Sequence, residues 1–168
     1  MTIVLGVDPG SRVTGYGLIE LAAKPFRVRY IDSGCLRLKA ADLPQRLAEI
    51  FHRLGELIRL YRPTQMAIEA VFVSRNPGSA LKLGQARGAA IVAGSVAELP
   101  VFEYSPRQVK LAVVGHGGAE KHQVQEMMRS LLKLDFVPAS DEADGLAIAW
   151  CHGHCHRYDM MKTARYKA

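Results

Sequence analysis

Four carboxylates occupy positions from which they could act together on a phosphate. Asp8 ends the apolar stretch Val-Leu-Gly-Val, and the Pro-Gly turn after it opens the backbone to an approaching ligand. Glu69 lies near the end of a second apolar stretch, and Asp141 and Asp144 have the spacing that places two side chains on one helix face. Oxygen ligands suit Mg²⁺ or Mn²⁺ better than Zn²⁺, and these ions can activate water for phosphate hydrolysis.

Such a cluster would be unstable without a counter-charge. Two unit charges about 4 Å apart repel by about 4 kcal/mol at an effective dielectric near 20, and a bound divalent cation removes this repulsion. Taken singly, each acid also has an ordinary interpretation: Asp8 could cap a turn, and Asp141 could simply favour the helix dipole. Glu142 points about 100° round the helix from Asp141 and is predicted to be solvated.

The elements that must position these acids follow from the apolar pattern. The predicted strands span residues 2–8, 14–21, 26–38, 65–71 and 101–104, the first three forming a meander with a bulge at Gly34. The predicted helices span residues 43–61, 79–97, 106–114, 119–134 and 141–158. This order predicts an α/β fold in which helices flank a mixed sheet.

The composition indicates a folded, basic protein. The 168 residues are 49% hydrophobic, enough for a buried core, and 22 Lys and Arg against 16 Asp and Glu give a net charge of +6, which favours polyanionic partners. No charged leader or bilayer-length apolar run is present, so we expect a cytoplasmic protein without a membrane partner. Three cysteines argue against a disulfide framework. We expect one domain over residues 1–158 and a short, basic, mobile tail over residues 159–168.

Two loops carry candidate nucleic-acid contacts. After Glu69, Phe72 could stack on an unpaired base or, alternatively, close the core as an ordinary phenylalanine. Arg75 and Asn76 follow in the same loop and could meet phosphates or base edges. A second set of cations, Arg107, Lys110 and Lys121, flanks the glycine-rich loop at residues 115–118; for any one of these lysines a solvated surface position is the alternative.

Four blocks of sequence resemble the RuvC family, the bacterial resolvases of four-way (Holliday) DNA junctions. The blocks are residues 6–17, 68–69, 79–88 and 141–149, and the resemblance extends from residue 3 to about residue 152. It implies a ribonuclease H-like fold with five central strands, the first three antiparallel. It also implies that Asp8, Glu69, Asp141 and Asp144 form a Mg²⁺-binding catalytic set, that Lys110 and Lys121 are needed for cleavage, and that an aromatic residue at Phe72 enters the junction.

The same resemblance implies a function. The expected protein is an endonuclease of recombination and repair that cuts two opposing strands of a junction and leaves 5′-phosphate and 3′-hydroxyl ends. One or two Mg²⁺ ions per subunit are expected, with Mn²⁺ able to substitute. A homodimer is expected, with the small-residue helix at 79–97 as its interface, and the RuvA-RuvB branch-migration complex is the expected partner. Glu142 and Gly145 depart from the small, alanine-like residues expected there, and Gly145 is predicted to loosen the first turn of its helix.

Two other functions and one other metal site are the alternatives. In a non-catalytic junction-binding module of the same fold, the four carboxylates would repel the DNA phosphates and serve no function. An actin-like ATPase would need a second phosphate-binding hairpin and a longer chain. A zinc site in Cys151-His152-Gly153-His154-Cys155-His156 is disfavoured because ligands from one continuous helix cannot surround a tetrahedral ion, so we expect solvated histidines there.

Overall fold

A five-stranded mixed sheet forms the centre of the computed structural model, which describes residues 1–23, 26–70 and 76–165. The strands are β1 (Thr2–Asp8), β2 (Val13–Ala23), β3 (Phe26–Arg37), β4 (Gln65–Glu69) and β5 (Val101–Tyr104). They lie in the order β3-β2-β1-β4-β5. The pairs β1–β2 and β2–β3 are antiparallel, whereas β1–β4 and β4–β5 are parallel. The predicted mixed sheet, with its first three strands antiparallel, is therefore confirmed.

Five helices flank this sheet, and most of their ends carry the expected caps. They are α1 (Leu43–Tyr61), α2 (Pro77–Val96), α3 (Pro106–Val114), α4 (Lys121–Leu132) and α5 (Ser140–Arg165). Ser105 caps α3 in a reciprocal capping box with Gln108, and Gly115 ends the helix in the left-handed conformation. The predicted bounds of three helices were wrong: α2 begins two residues earlier, at Pro77, α4 is two residues shorter at each end, and α5 continues past Tyr158 to Arg165.

The predicted bulge at Gly34 was also wrong. The register of the β2–β3 pair shifts between Leu18 and Ile19, which face Asp32 and Tyr30, so the extra residue is Ile31. Gly34 pairs regularly with Tyr16. A Cβ atom at position 34 would lie 3.1 Å from the Tyr16 ring, so this glycine provides space for the tyrosine.

The alternation of side chains along the strands decides which face carries the acids. Leu5, Val7, Met66 and Ile68 belong to the core cluster that β1 and β4 share with α1 and α2. Val4 and Ala67 belong to the cluster on the opposite face, shared with α3, α4 and α5. Because side chains alternate with a period of two, Asp8 and Glu69 project on the same face as Val4 and Ala67, towards α5.

Helix α5 packs unusually close to the β1–β2 hairpin because glycines meet at the contact. A Cβ atom on Gly145 would lie 2.5 Å from the carbonyl carbon of Tyr16, and one on Gly6 would overlap the Gly145 carbonyl oxygen. A Cβ on Gly15 would overlap the carbonyl oxygen of Asp141. Gly145 therefore permits close packing, and the prediction that it loosens the helix missed this role.

No membrane-spanning candidate is found in the part of the chain that the structure describes, because none of its helices combines sufficient length with sufficient apolarity.

Replacing Gly145 with alanine should destabilise the protein even though alanine is the better helix former. The added methyl group meets backbone atoms of Tyr16, which cannot move aside as a flexible side chain would. We expect the free energy of unfolding to fall by about 1–3 kcal/mol, measured by urea denaturation.

The matched control is Gly55→Ala in α1, where the nearest atom to a new Cβ is 3.6 Å away. There, the higher helix propensity of alanine should raise the free energy of unfolding by up to about 1 kcal/mol. Equal stabilisation by both substitutions would contradict the close contact at Gly145.

Candidate active site

Asp8 is the last residue of the central strand β1, and it lies opposite Gly15 of β2. The turn that follows is closed by Thr14, a fully buried residue whose Oγ1 accepts a hydrogen bond from the Gly10 N–H (3.3 Å) and donates to the Gly10 carbonyl oxygen (3.2 Å). These bonds hold the Pro-Gly turn against β2. The Asp8 carboxylate therefore projects from a rigid strand end, as the sequence predicted.

Glu69 reaches the same edge of the sheet because β4 runs parallel to β1. Val7 pairs with Ile68, so the next residues along each strand, Asp8 and Glu69, follow side by side. Both side chains are partly buried. The carboxyl ends of adjacent parallel strands thus bring together two acids that are far apart in the sequence.

Asp141 and Asp144 lie in the first turns of α5, over the same edge. One carboxylate oxygen each from Asp8, Asp141 and Asp144 lie within 4.8 Å of one another. This is the only group of three or more potential metal-ligating side chains that is found among the described residues. All of its donors are oxygen atoms, so the set fits a hard divalent cation such as Mg²⁺.

Glu142 is partly buried and hydrogen-bonded, so its predicted solvation was wrong. Its carboxylate accepts a hydrogen bond from Ser33 Oγ (2.6 Å) and another from the Ala139 N–H (3.0 Å). The second bond is the glutamate half of a capping box at the start of α5. Glu142 therefore fixes the helix end that carries Asp141 and attaches it to β3.

Burial and mutual repulsion raise the pKa values of the clustered acids. The pKa of Asp8 rises to about 8, chiefly through burial and then through the charges of Glu69, Asp144 and Asp141. The pKa of Glu69 rises to about 6, mainly through burial and the charge of Asp144. Burial also raises the pKa of Asp144. Without a bound cation, the site therefore holds protons at neutral pH, and binding a cation would release them.

Two lysines, one on α3 and one on α4, counter this negative charge. Lys121, the first residue of α4, lowers the pKa values of three acids: Asp8, Glu69 and Asp144. Lys110, on α3, lowers the pKa values of Glu69 and Asp144. The α3–α4 hairpin packs on α5, which brings both cations close to the acids. The structure therefore brings together the four acids and both lysines that were singled out from the sequence.

Of the other predicted DNA contacts, Arg107 and Asn76 lie within the described residues. Arg107 is exposed, and its aliphatic part packs against Gly117 of the α3–α4 loop. Asn76 caps α2, where its side-chain oxygen accepts a hydrogen bond from the Ser79 N–H (3.2 Å). Phe72 and Arg75 lie outside the described residues.

The Cys/His-rich part of α5 contains a buried histidine, contrary to the prediction of solvated ones. His152 is 1% exposed; its Nε2 donates to Gln65 Oε1 (2.8 Å) and its Nδ1 accepts from the Tyr104 hydroxyl (2.8 Å). Burial and the neighbouring His156 lower the pKa of His152 to about 4, so it is neutral at pH 7. His152 therefore connects α5 to β4 and β5. Among the described residues, no cluster of metal-ligating side chains includes these cysteines and histidines, so the disfavoured zinc site gains no support.

Sequence reasoning missed one residue that contacts the backbone of an acid. The guanidinium Nε of Arg87, on α2, donates a hydrogen bond to the main-chain oxygen of Glu69 (3.0 Å). Arg87 lies within one of the blocks that resemble the RuvC family, but no spacing rule connects it to Glu69. Only the packing of α2 on the sheet reveals this contact.

The mixed sheet and the acids at its edge define a ribonuclease H-like protein with a site suited to a divalent cation. The profile of the family described as "Crossover junction endodeoxyribonuclease RuvC" matches residues 4–152. Because this match covers most of its length, the chain belongs to the RuvC family.

Relatives and solved structures agree with this assignment. The chain is 57% identical over 157 residues to a crossover junction endodeoxyribonuclease RuvC of Shewanella amazonensis, covering 94% of this chain and 90% of the relative. It is 35% identical to the solved structure of Thermus thermophilus RuvC, with a TM-score of 0.81 and coverage of 96% and 98% of the two chains. T. thermophilus RuvC in complex with a Holliday junction substrate is 34% identical, with a TM-score of 0.86 and coverage of 95% and 97%.

The raised pKa of Asp8 predicts an unusual pH dependence in metal-free protein. Its folded pKa lies near 8, above the ordinary value of 3.8, so the folded state keeps a proton that the unfolded chain loses. Stability conferred by this proton is lost as pH rises towards and through 8. Between pH 6.5 and 8.5 in EDTA, the free energy of unfolding should fall by up to about 1.4 kcal/mol per pH unit.

Urea denaturation at pH 6.5, 7.5 and 8.5 measures this slope. His152, which has a pKa of 6.5 in the unfolded chain, contributes near the lower end of this range in both the wild type and Asp8→Asn, so the difference between the two slopes isolates Asp8. The Asp8→Asn variant should have a higher free energy of unfolding and should lose less of it as the pH rises. Parallel slopes in both proteins would show that Asp8 is not the group responsible.

Proposed function

We propose that this chain is a divalent-metal-dependent endonuclease that resolves four-way DNA junctions in recombination and repair. The observation that best supports this proposal is the gathering of Asp8, Asp141 and Asp144, whose ligand atoms lie within 4.8 Å of one another. The substrate class is supported by the related T. thermophilus RuvC, which was solved with a Holliday junction. The net charge of +6 is suited to a nucleic acid.

The proposed metal is Mg²⁺, with Mn²⁺ able to substitute and one or two ions per subunit. Asp8, Asp141 and Asp144 would hold it, with Glu69 beside them as a fourth ligand. A bound ion of this kind activates water and stabilises the charge that develops on a phosphate. The partly buried carboxylates supply ligands at fixed positions, because Asp8 and Glu69 end strands and the other two, Asp141 and Asp144, lie at the start of a helix.

The reaction proposed at this site is in-line hydrolysis. The oxygen of water bonds to phosphorus while the bond from phosphorus to the 3′ oxygen breaks, and the 3′ oxygen takes up a proton. The products are a 5′-phosphate and a 3′-hydroxyl, which ligase can join. Lys110 and Lys121 supply preorganised positive charge next to the acids, where the scissile phosphate would lie.

The remaining contacts would hold the junction. We assign Phe72 to stacking on a base at the crossover, and Arg75, Asn76 and Arg107 to phosphates or base edges, beside Lys110 and Lys121. Two symmetric cuts require two sites, so a homodimer with two-fold symmetry is the natural assembly. The proposed protein partner is the RuvA-RuvB branch-migration complex, and the proposed location is the cytoplasm. The proposed nuclease domain spans residues 1–158.

The exposed face of α2 supports a dimer interface there. Its buried face consists of small residues that pack on the core, namely Ala86, Ala90, Ala93 and Gly94. Its outer face exposes Leu81 (65%), Val92 (50%) and Val96 (69%), which recur at helical intervals. Gly84 and Gly88 lie on this side, and nothing in the chain comes within 4 Å of a Cβ added to either.

Replacing Asp8 with asparagine should abolish cleavage while leaving junction binding intact. Loss of one carboxylate removes a metal ligand, and several kcal/mol of transition-state stabilisation correspond to a loss of more than about a hundredfold in rate. Single-turnover cleavage of a synthetic four-way junction with Mg²⁺ or Mn²⁺ measures the rate, and gel shift in EDTA measures binding.

Asp135→Asn is the matched control, since Asp135 is exposed and is not one of the clustered acids; it should cut at the wild-type rate. If the wild type binds the junction but leaves it uncut with either metal, the endonuclease proposal fails and the non-catalytic binding module replaces it. Undiminished cleavage by Asp8→Asn would remove Asp8 from the catalytic set.

Replacing Gly88 with leucine should weaken the proposed dimer without unfolding the chain. The new side chain points into open space in the isolated chain, so the fold should tolerate it, whereas a closely packed partner helix would be pushed away. Sedimentation velocity should show a shift from dimer to monomer, and circular dichroism should stay unchanged. Ala48→Leu on the exposed surface of α1 is the control. A stable dimer in Gly88→Leu would place the interface elsewhere.

A further inference from the structure

Arg87 joins three elements at the end of the sheet that carries Glu69. Its Nε donates to the main-chain oxygen of Glu69 (3.0 Å), and its Nη2 forms an ion pair with Glu103 Oε2 at 2.5 Å. The Arg87 side chain is 18% exposed, whereas that of Glu103 is 56% exposed. One guanidinium therefore links α2 to the last residue of β4 and to β5.

The contact between Arg87 and Glu69 lies at the end of the β4–β5 pairing. The pairing of β4 with β5 ends at Glu69 and Tyr104, and the last backbone hydrogen bond between these segments runs from the Ala70 N–H to the Tyr104 oxygen. Among the hydrogen bonds of the described residues, the Glu69 carbonyl accepts one from a side chain, that of Arg87. The Glu69 carbonyl and the Ala70 N–H belong to one peptide, so Arg87 holds the oxygen side of the peptide whose N–H side is bonded to Tyr104.

Arg87 approaches from the face of the sheet opposite the acids. Helix α2 packs on the side that contains Met66 and Ile68, whereas the Glu69 side chain projects towards α5. The guanidinium therefore holds the backbone of Glu69 while leaving its carboxylate available. The planar group satisfies two acceptors in fixed directions, and the pair with Glu103 balances its charge.

We propose that Arg87 is a positioning residue that, together with the bond from the Ala70 N–H to Tyr104, fixes the last peptide of β4, so that the Glu69 carboxylate is held beside Asp8 to complete the divalent-cation site. This inference rests on the proposed function, in which Glu69 is a metal ligand. Groups that orient metal ligands typically change metal affinity by about 10–100-fold when they are removed.

Mn²⁺ binding by the full chain without DNA tests this role directly. Electron paramagnetic resonance of free Mn²⁺ gives the affinity, and junction cleavage at limiting and saturating Mn²⁺ gives the functional effect. Arg87→Gln should weaken Mn²⁺ binding by about tenfold and raise the Mn²⁺ concentration needed for half-maximal cleavage by the same factor. The direction of the change in Mn²⁺ affinity distinguishes two roles, because a positive charge that acted only through its electrostatic repulsion would, when removed, strengthen cation binding.

Three further variants separate position from charge. Arg87→Lys keeps the charge but cannot reproduce the two-acceptor geometry, so it should also weaken Mn²⁺ binding. Glu103→Gln removes the ion pair but leaves the donor to Glu69 in place, and should stay within about twofold of the wild type. Lys82→Gln removes an exposed positive charge from the same helix and should not weaken binding.

Wild-type or tighter Mn²⁺ binding by Arg87→Gln, with its circular dichroism unchanged, overturns the proposal. If Arg87→Gln does not fold, Arg87→Lys decides: weakened binding supports the role and wild-type binding overturns it. A wild type that binds Mn²⁺ but does not cut junctions would refute the endonuclease function and leave the positioning role of Arg87 standing.

Discussion

The close contact between α5 and the β1–β2 hairpin is the constraint on which the site depends. Glycines on both sides, Gly6 and Gly15 in the strands and Gly145 in the helix, let the two backbones approach until no side chain fits between them. Asp8 ends one of these strands and Asp141 and Asp144 begin this helix, so the distance between backbones sets the distance between carboxylates. An ordinary helix–sheet separation of about 10 Å would leave the acids too far apart to share one ion.

This packing concentrates negative charge, and the rest of the structure accommodates it. Burial and repulsion raise the pKa of Asp8 to about 8, while Lys110 and Lys121 on the α3–α4 hairpin act in the opposite direction on the neighbouring acids. Glu142 anchors the start of α5 through Ser33 and the Ala139 N–H. The site is thus a strained arrangement of like charges on rigid supports, a state that binding of a divalent cation would stabilise.

Much of this arrangement could be predicted from sequence because its causes are local. Short stretches rich in Val, Ile, Leu, Tyr and Phe identified the strands, and the three- and four-residue spacing of apolar residues gave α1 its observed bounds. Capping residues predicted both ends of α3. The errors occurred where tertiary contacts decide the outcome: the bulge lies at Ile31 because of strand pairing, and Glu142 and His152 are held by partners distant in sequence. Helix-wheel geometry gave the direction of Glu142 but could not reveal that Ser33 lies there to receive it.

By itself, the sequence determined which residues could carry the chemistry: four carboxylates on strand ends and a helix start, two lysines beside a glycine-rich loop, and a net positive charge. Those properties belong to residue types and short-range spacing. The tertiary structure alone decided that the acids meet, because the parallel pairing of β1 with β4 and the glycine contact of α5 act between segments far apart in the chain. It also decided that Arg87 reaches the backbone of Glu69 from the opposite face of the sheet. Local spacing cannot encode such distances, since they depend on how whole elements pack.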